Sequence, residues 1–164
     1  MAAWESDFPP LLELGWHRMS MSALRALCVE PFPSSATREM IMAGLEAITA
    51  RLVQAGVTGD LWIDGSFLTE KINPKDSDVA LCIDSPSMYD FGSPDQREAI
   101  KWLNGNLKET SFVCDSYVIF TYPIVHCLWQ EGEWWKTWYQ RQFGFSRDDD
   151  PKGIVVVSLP DDAR

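Results

Sequence analysis

Residues 61–84 read LWIDGSFLTEKINPKDSDVALCID, and no other stretch of the chain specifies a chemistry as narrowly. A short apolar run, Leu61 to Ile63, leads into Gly65 and Ser66. A polar loop then reaches Asp76, Ser77 and Asp78, where a second apolar run, Val79 to Ile83, begins. The pattern predicts strand, turn, loop, strand. Side chains alternate faces along a strand, so Asp76 and Asp78 share a side with Ala80 and Cys82, while Val79, Leu81 and Ile83 take the other. Two neighbouring carboxylates at the head of an apolar strand repel each other and resist burial, so they require solvent, basic partners or a cation. A hard divalent ion, Mg2+ or Mn2+, suits them, because it takes oxygen ligands and keeps positions open for water and substrate phosphates.

Gly65 and Ser66 supply the complement. Glycine lets the backbone approach a ligand, and amide N–H groups exposed at a turn that opens a helix form an anion cradle, to which the serine hydroxyl adds a hydrogen bond. Amides on phosphates and carboxylates on a metal together describe a bound nucleoside triphosphate. Lys71 and Lys75 lie in the intervening loop, where a lysine either reaches a triphosphate or stays solvated. Asp64 is read as either close to the site or engaged in a turn hydrogen bond.

At these residues the chain resembles the nucleotidyltransferase superfamily of the DNA polymerase beta type. The signature of that superfamily is a hydrophobic strand, Gly-Ser or Gly-Gly, a spacer, Asp-x-Asp, and a third carboxylate on a later strand. Gly65, Ser66, Asp76 and Asp78 fall on the pattern, and Asp115, inside the apolar run FVCDSYVIF at 112–120, matches the third carboxylate. The longer stretch DGSFLTEKINPKDSDVAL, with FGFSRDDDPKGIVVV near the end, is also similar to a small uncharacterised bacterial family of that fold. The resemblance implies an α+β fold, with a mixed or antiparallel central sheet and helices packed on it. It implies Mg2+ or Mn2+ held by catalytic Asp76, Asp78 and Asp115, and a nucleoside triphosphate held by Gly65 and Ser66, with Lys71 beside them. The reaction expected is transfer of a nucleotidyl group to an RNA end such as a tRNA, a protein or a small molecule. The alternative is an inactive binding module of the same fold, such as a toxin–antitoxin or phage-defence subunit with a partner protein.

The 164 residues suit a single domain, read as an arm with a short helix (1–33), a core (34–125) and an aromatic-rich extension (126–164). An apolar fraction of 46% argues for a folded globule, and a formal net charge of −10 argues against a grip on long DNA, whose affinity depends on Lys and Arg. Four cysteines without a C-x-x-C pair read as free thiols of a reducing cytoplasm. Neither a signal peptide nor a membrane-length apolar run is visible.

Outward from the central stretch, residues 1–19 read as irregular, broken by Pro9, Pro10 and Gly15, and a short helix is expected over 22–29. Ser34 and Ser35 precede a longer helix ending near Ala55, with Ile41, Leu45, Ile48 and Leu52 on one face. Residues 85–95 read as a turn-rich link. Ser93, Pro94 and Gln96 announce a helix with Ile100, Leu103 and Leu107 as its buried stripe. Residues 112–120 and 153–159 read as strands, and Asp115 is either the third site carboxylate or an edge residue facing water. The aromatics from Trp129 to Phe145 predict a short helix whose rings stack a base, anchor a partner or, on general grounds, fill the core. Arg141, Arg147 and Lys152 either neutralise phosphates or pair with Asp148 to Asp150.

Overall fold

A computed structural model describes residues 8–84 and 86–160. Five strands form one mixed sheet: β1 (Gly15–Arg18), β2 (Gly59–Asp64), β3 (Ser77–Ile83), β4 (Cys114–Phe120) and β5 (Gly153–Leu159), in the order β1-β5-β2-β3-β4. β2 runs antiparallel to both β3 and β5, whereas β3–β4 and β1–β5 are parallel pairs. Five helices complete the fold: α1 (Met21–Cys28), α2 (Arg38–Gln54), α3 (Pro86–Asp90), α4 (Pro94–Asn104) and α5 (Trp129–Phe143). The α+β class expected from the sequence is observed. Among the described residues no helix is long and apolar enough to cross a membrane.

The alternation along each strand divides the apolar residues between two layers. Leu61, Ile63, Val79, Leu81, Ile83, Val155 and Val157 face a core built with Leu24 of α1, Ile41, Leu45, Ile48 and Leu52 of α2, and Ile100 and Leu103 of α4. The predicted one-sided stripe of α2 is thus fully buried. Trp62, Ala80, Ile119, Ile154 and Val156 take the opposite face and pack with Tyr139 and Phe143 of α5. The second layer covers the sheet incompletely, and the functional residues emerge beside it.

Local sequence sets the boundaries. Ser35, rather than the residue adjoining α2, caps that helix by accepting from the amides of Thr37 and Arg38 at 3.2 and 3.1 Å. Ser93 and Gln96 close a reciprocal capping box around the start of α4. β4 begins at Cys114, two residues after the start read from sequence, because Val113 sits at φ +50°, outside the strand region. Two segments gain structure beyond the expectation. Residues 15–18, read as irregular, become β1 by pairing with β5, and residues 86–90 form α3 within the supposed link. Residues 8–14 are irregular as expected, apart from an isolated bridge between Pro10 and Thr69, and residues 1–7 lie outside the described residues. Both the arm and the extension therefore contribute strands to the sheet.

Candidate functional site

The turn from β2 into the loop 65–76 is fixed from behind by Arg38. Its guanidinium is 1% exposed and donates to the carbonyls of Cys28 and Phe67, both at 2.8 Å, Thr69 at 2.5 Å and Lys71 at 2.7 Å. It also stacks over the Phe32 ring at 3.7 Å. A buried cation unsupported by hydrogen bonds costs several kcal/mol, so this fan of carbonyl dipoles both solvates Arg38 and fixes the loop. Burial lowers its pKa from the ordinary arginine value.

With the loop held, register assembles the carboxylates. Asp64 is opposite Asp78 across the antiparallel β2–β3 pair, and Asp78 is opposite Asp115 across the parallel β3–β4 pair. Strand parity puts all three on the face shared with Trp62, Ala80 and Tyr117, so they form a row across three strands. Asp76, just before β3, joins the row through Lys108, whose Nζ lies 3.1 Å from Asp76 Oδ2 and 3.4 Å from Asp115 Oδ2. The Asn106 side-chain amide donates to Asp115 Oδ1 at 2.6 Å. At the other end Lys152 Nζ lies 2.9 Å from Asp64 Oδ2, with both side chains largely buried.

Asp78 stands between these two lysine pairs and is in an ion pair with neither. Burial, then the charges of Asp76 and Asp115, push its carboxyl up to about 6. Burial also raises Asp64, to about 7, against the opposing pull of Lys152. Its Oδ1 is buried and is not engaged by Lys152, and the neighbouring Gly65 amide adds a further downward pull on the carboxyl. Lys108 is held above the ordinary lysine value, chiefly by its hydrogen bond to Asp76. Burial and nearby Asp115 raise the Tyr117 phenol.

Gly65 touches Asp78 directly. Its φ is +95°, and a Cβ there would lie 2.4 Å from Asp78 Oδ2, so only glycine admits the carboxylate in this position. The turn it begins is three residues of 3-10 helix, Ser66–Leu68, shorter than the helix opening expected from sequence. The neighbour observed at Gly65 is thus a carboxylate, where the sequence had suggested a phosphate. Ser66 is half-buried, and its carbonyl accepts from Thr69 Oγ1 at 2.8 Å. Lys71 is directed elsewhere: its Nζ lies 5.6 Å from the centre of the Phe8 ring. Among the described residues, Lys108 and Lys152 are the cations paired with the site carboxylates.

The structure brings Asp76, Asp78, Asp115 and Gly65 together. It adds Asp64, Lys152, Lys108 and Asn106, of which the last two carried no sequence signal. Lys152 pairs with Asp64 rather than with the run at 148–150, whose Asp149 is taken by Arg141 at 2.6 Å. The aromatics of α5 divide: Phe143 is buried, but Trp134, Trp135 and Trp138 are 58%, 42% and 40% exposed, against the general expectation of core packing. Trp135 lines a cavity beside Val118 and Phe120 of β4.

Among the described residues, no three Asp, Glu, His or Cys side chains are grouped as they stand to hold a metal ion. The Lys108 ammonium lies between Asp76 and Asp115 and offsets one of their two charges. Asp78, in an ion pair with neither lysine, presents oxygens of the kind a hard cation takes.

No curated protein and no solved structure matches the chain. A family model described as a family of unknown function matches residues 4–158, nearly the whole sequence and every residue of the carboxylate row. The chain therefore belongs to that family, DUF6932.

Proposed function

We propose that this chain is a divalent-cation-dependent nucleotidyltransferase, moving a nucleoside monophosphate group from a nucleoside triphosphate to an acceptor hydroxyl. The observation that carries the reading is the register of Asp78 against Asp115, with Asp76 tied to the same row and Gly65 at its edge. The order of these residues along the chain is that of the nucleotidyltransferase signature. The finer fold assignment, nucleotidyltransferase-like, belongs to the same proposal, as does a reducing cytoplasm, which suits the free cysteines.

In this reading Mg2+ or Mn2+ would be held by Asp76, Asp78 and Asp115 once Lys108 turned from the carboxylates it bridges, and would supply Lewis-acid stabilisation of the phosphate oxygens. Gly65 and Ser66 approach the terminal phosphates, while Lys108 and Lys152 offset the charge that the triphosphate brings beside four carboxylates. The acceptor oxygen attacks the α-phosphorus as the bond to pyrophosphate breaks, and the hydroxyl proton passes to Asp115. Lys71, turned toward Phe8, has to swing away from that ring to reach a phosphate. RNA ends such as tRNA, protein side chains and small metabolites all present the required hydroxyl.

Calorimetry with each of the four nucleoside triphosphates, in Mg2+ and then Mn2+, tests the binding step; a labelled α-phosphate tests whether the group arrives on an acceptor. Heat with at least one triphosphate is expected, and none with any of them refutes the reading.

One observation favours a second reading. Three exposed tryptophans on α5 suit a surface that meets another macromolecule, as in an inactive nucleotidyltransferase-like module of a toxin–antitoxin or phage-defence pair. In that case the double change Asp76→Asn and Asp78→Asn leaves the cellular phenotype intact.

A further inference from the structure

The cavity beside Trp135 measures about 230 Å3 and is lined by Val118 and Phe120 of β4 and by Trp135 and Tyr139 of α5. The last two stand one helical turn apart, with ring centroids separated by 6.3 Å. Gly132 sets how closely the helix approaches the strand, since a Cβ there would lie 2.8 Å from the Phe120 carbonyl oxygen. Tyr122 adds a further ring, itself stacked on His126 with 4.6 Å between centroids. Glu131 is the one charged residue of the lining, and both it and Trp135 are exposed to solvent. Among the described residues no lysine or arginine pairs with Glu131. Burial, then the charges of Asp90 and Glu131, raise the Tyr122 phenol, so this end of the cavity lies in a negative field.

We propose that this cavity receives an arginine side chain of a basic partner protein, stacked on the aromatic wall with its guanidinium on Glu131. Aromatic faces beside an unpaired carboxylate favour a cation over a neutral or anionic group. A guanidinium fits better than an ammonium, because it is planar, stacks on an indole and meets a carboxylate with a fork of donors. The volume points to one side chain, being below the roughly 300–1,000 Å3 of pockets that enclose a whole small-molecule ligand. The surroundings point to a protein as its source. Ile124 and Val125, shortly after Tyr122, are exposed, as are Trp134 and Trp138 beside Trp135, so apolar surface continues beyond the cavity. Tryptophan, tyrosine and arginine are the residues that dominate binding at protein interfaces. A net charge of −10 steers a basic partner toward the chain, and the carboxylates at the cavity fix where its cation lands. The inference takes up the macromolecular surface of the second reading but does not require the chain to be inactive.

The experiment titrates the full chain with the capped pentapeptide Leu-Gly-Arg-Gly-Leu and follows the tryptophan indole N–H signals by nuclear magnetic resonance. The signal that Trp135→Ala removes, and so identifies as Trp135, should move and saturate. The same peptide with citrulline keeps the shape of arginine without its charge and should bind at least about tenfold more weakly. Glu131→Gln should weaken the arginine peptide at least about fivefold. Glu30→Gln, an exposed carboxylate on the end of the chain segment after α1, should change it less than about twofold. The citrulline comparison uses the wild-type chain, so it decides the matter even if a variant fails to fold. Equal binding of the two peptides, or binding that ignores Glu131, overturns the proposal. A lysine peptide that binds as tightly as the arginine one overturns the guanidinium assignment, and capped arginine alone binding as tightly as the pentapeptide overturns the protein partner. No response to the arginine peptide overturns the proposal and leaves the inactive-module reading standing, because that reading is tested by the double change at Asp76 and Asp78.

Discussion

Gly65 and Asp78 are in contact: a Cβ at Gly65 would stand 2.4 Å from Asp78 Oδ2 and 3.2 Å from its amide nitrogen. The turn and the carboxylate strand are consequently one device. Gly65→Ala has to displace the Asp78 carboxylate and also strain a backbone held at φ +95°. Thermal denaturation should show a loss of about 1–2 kcal/mol, and Mn2+ and triphosphate binding should fall with it. Wild-type binding in the alanine variant would mean that Asp78 can move without consequence.

Asp78→Asn removes a charge that burial opposes, while keeping shape. Its expected signature is loss of triphosphate turnover with a melting temperature at neutral pH equal to or above that of the wild type. A cooperative but much lower transition would show that the carboxylate supports the fold instead.

The row also sets a pH response. In the folded protein Asp78 titrates at about 6 and Asp64 at about 7, both above the ordinary value of 3.8. Between pH 4 and 7 the folded state therefore holds protons that the unfolded chain has released. Stability from these groups is complete below pH 4 and declines as pH rises through the two folded values. A tenfold difference in proton affinity between the folded and unfolded chain is worth about 1.4 kcal/mol, so a decline on the order of a few kcal/mol is expected. Urea denaturation at pH 4.5 and 7.5 measures it, and the double variant Asp64→Asn, Asp78→Asn should show a flatter profile. Parallel profiles would exclude these carboxyls as the cause.

Arg38 fastens the loop from Phe67 to Lys71 to the end of α1 through backbone carbonyls alone among the described residues. Arg38→Met keeps the stem and removes the donors, leaving those carbonyls unsatisfied, with an expected cost of about 2–4 kcal/mol. Trypsin should then cut first at Lys71 or Lys75, which mass spectrometry identifies.

On α5 the two sides of the helix should respond oppositely. Trp134→Ala and Trp138→Ala remove exposed rings and should each change stability by under about 0.5 kcal/mol. Phe143→Ala, 4% exposed, should cost about 3–5 kcal/mol. Chemical denaturation of the three variants provides the comparison.

What the sequence disclosed follows from how local each feature is. The stripe of α2, the box at Ser93 and Gln96, and the alternation around Asp78 each depend on neighbours a few residues away, and each appears in the fold. The place of Asp64 depends on register: a one-residue slip between β2 and β3 would put it on the other face. Lys108 reaches Asp76 and Asp115 from a bend after α4 in which Asn106 has φ +61°, a conformation with no counterpart in the spacing of residues. The four-residue β1 is a strand because β5 lies beside it. For α5 the helical spacing groups the rings correctly but is silent on which group meets the sheet.

The placement of β5 between β1 and β2 has a bearing on how the protein is made. Residues 15–18 have no hydrogen-bonding strand beside them until residues 153–159 have left the ribosome, since β5 is their neighbour in the sheet. During synthesis the hairpin β2–β3 and its crossover to β4 can assemble while Leu61 and Ile63 still expose one strand edge to the surroundings. Completion of the sheet is therefore a late event, and the partly translated chain is the form most open to chaperones and to mispairing with its own kind.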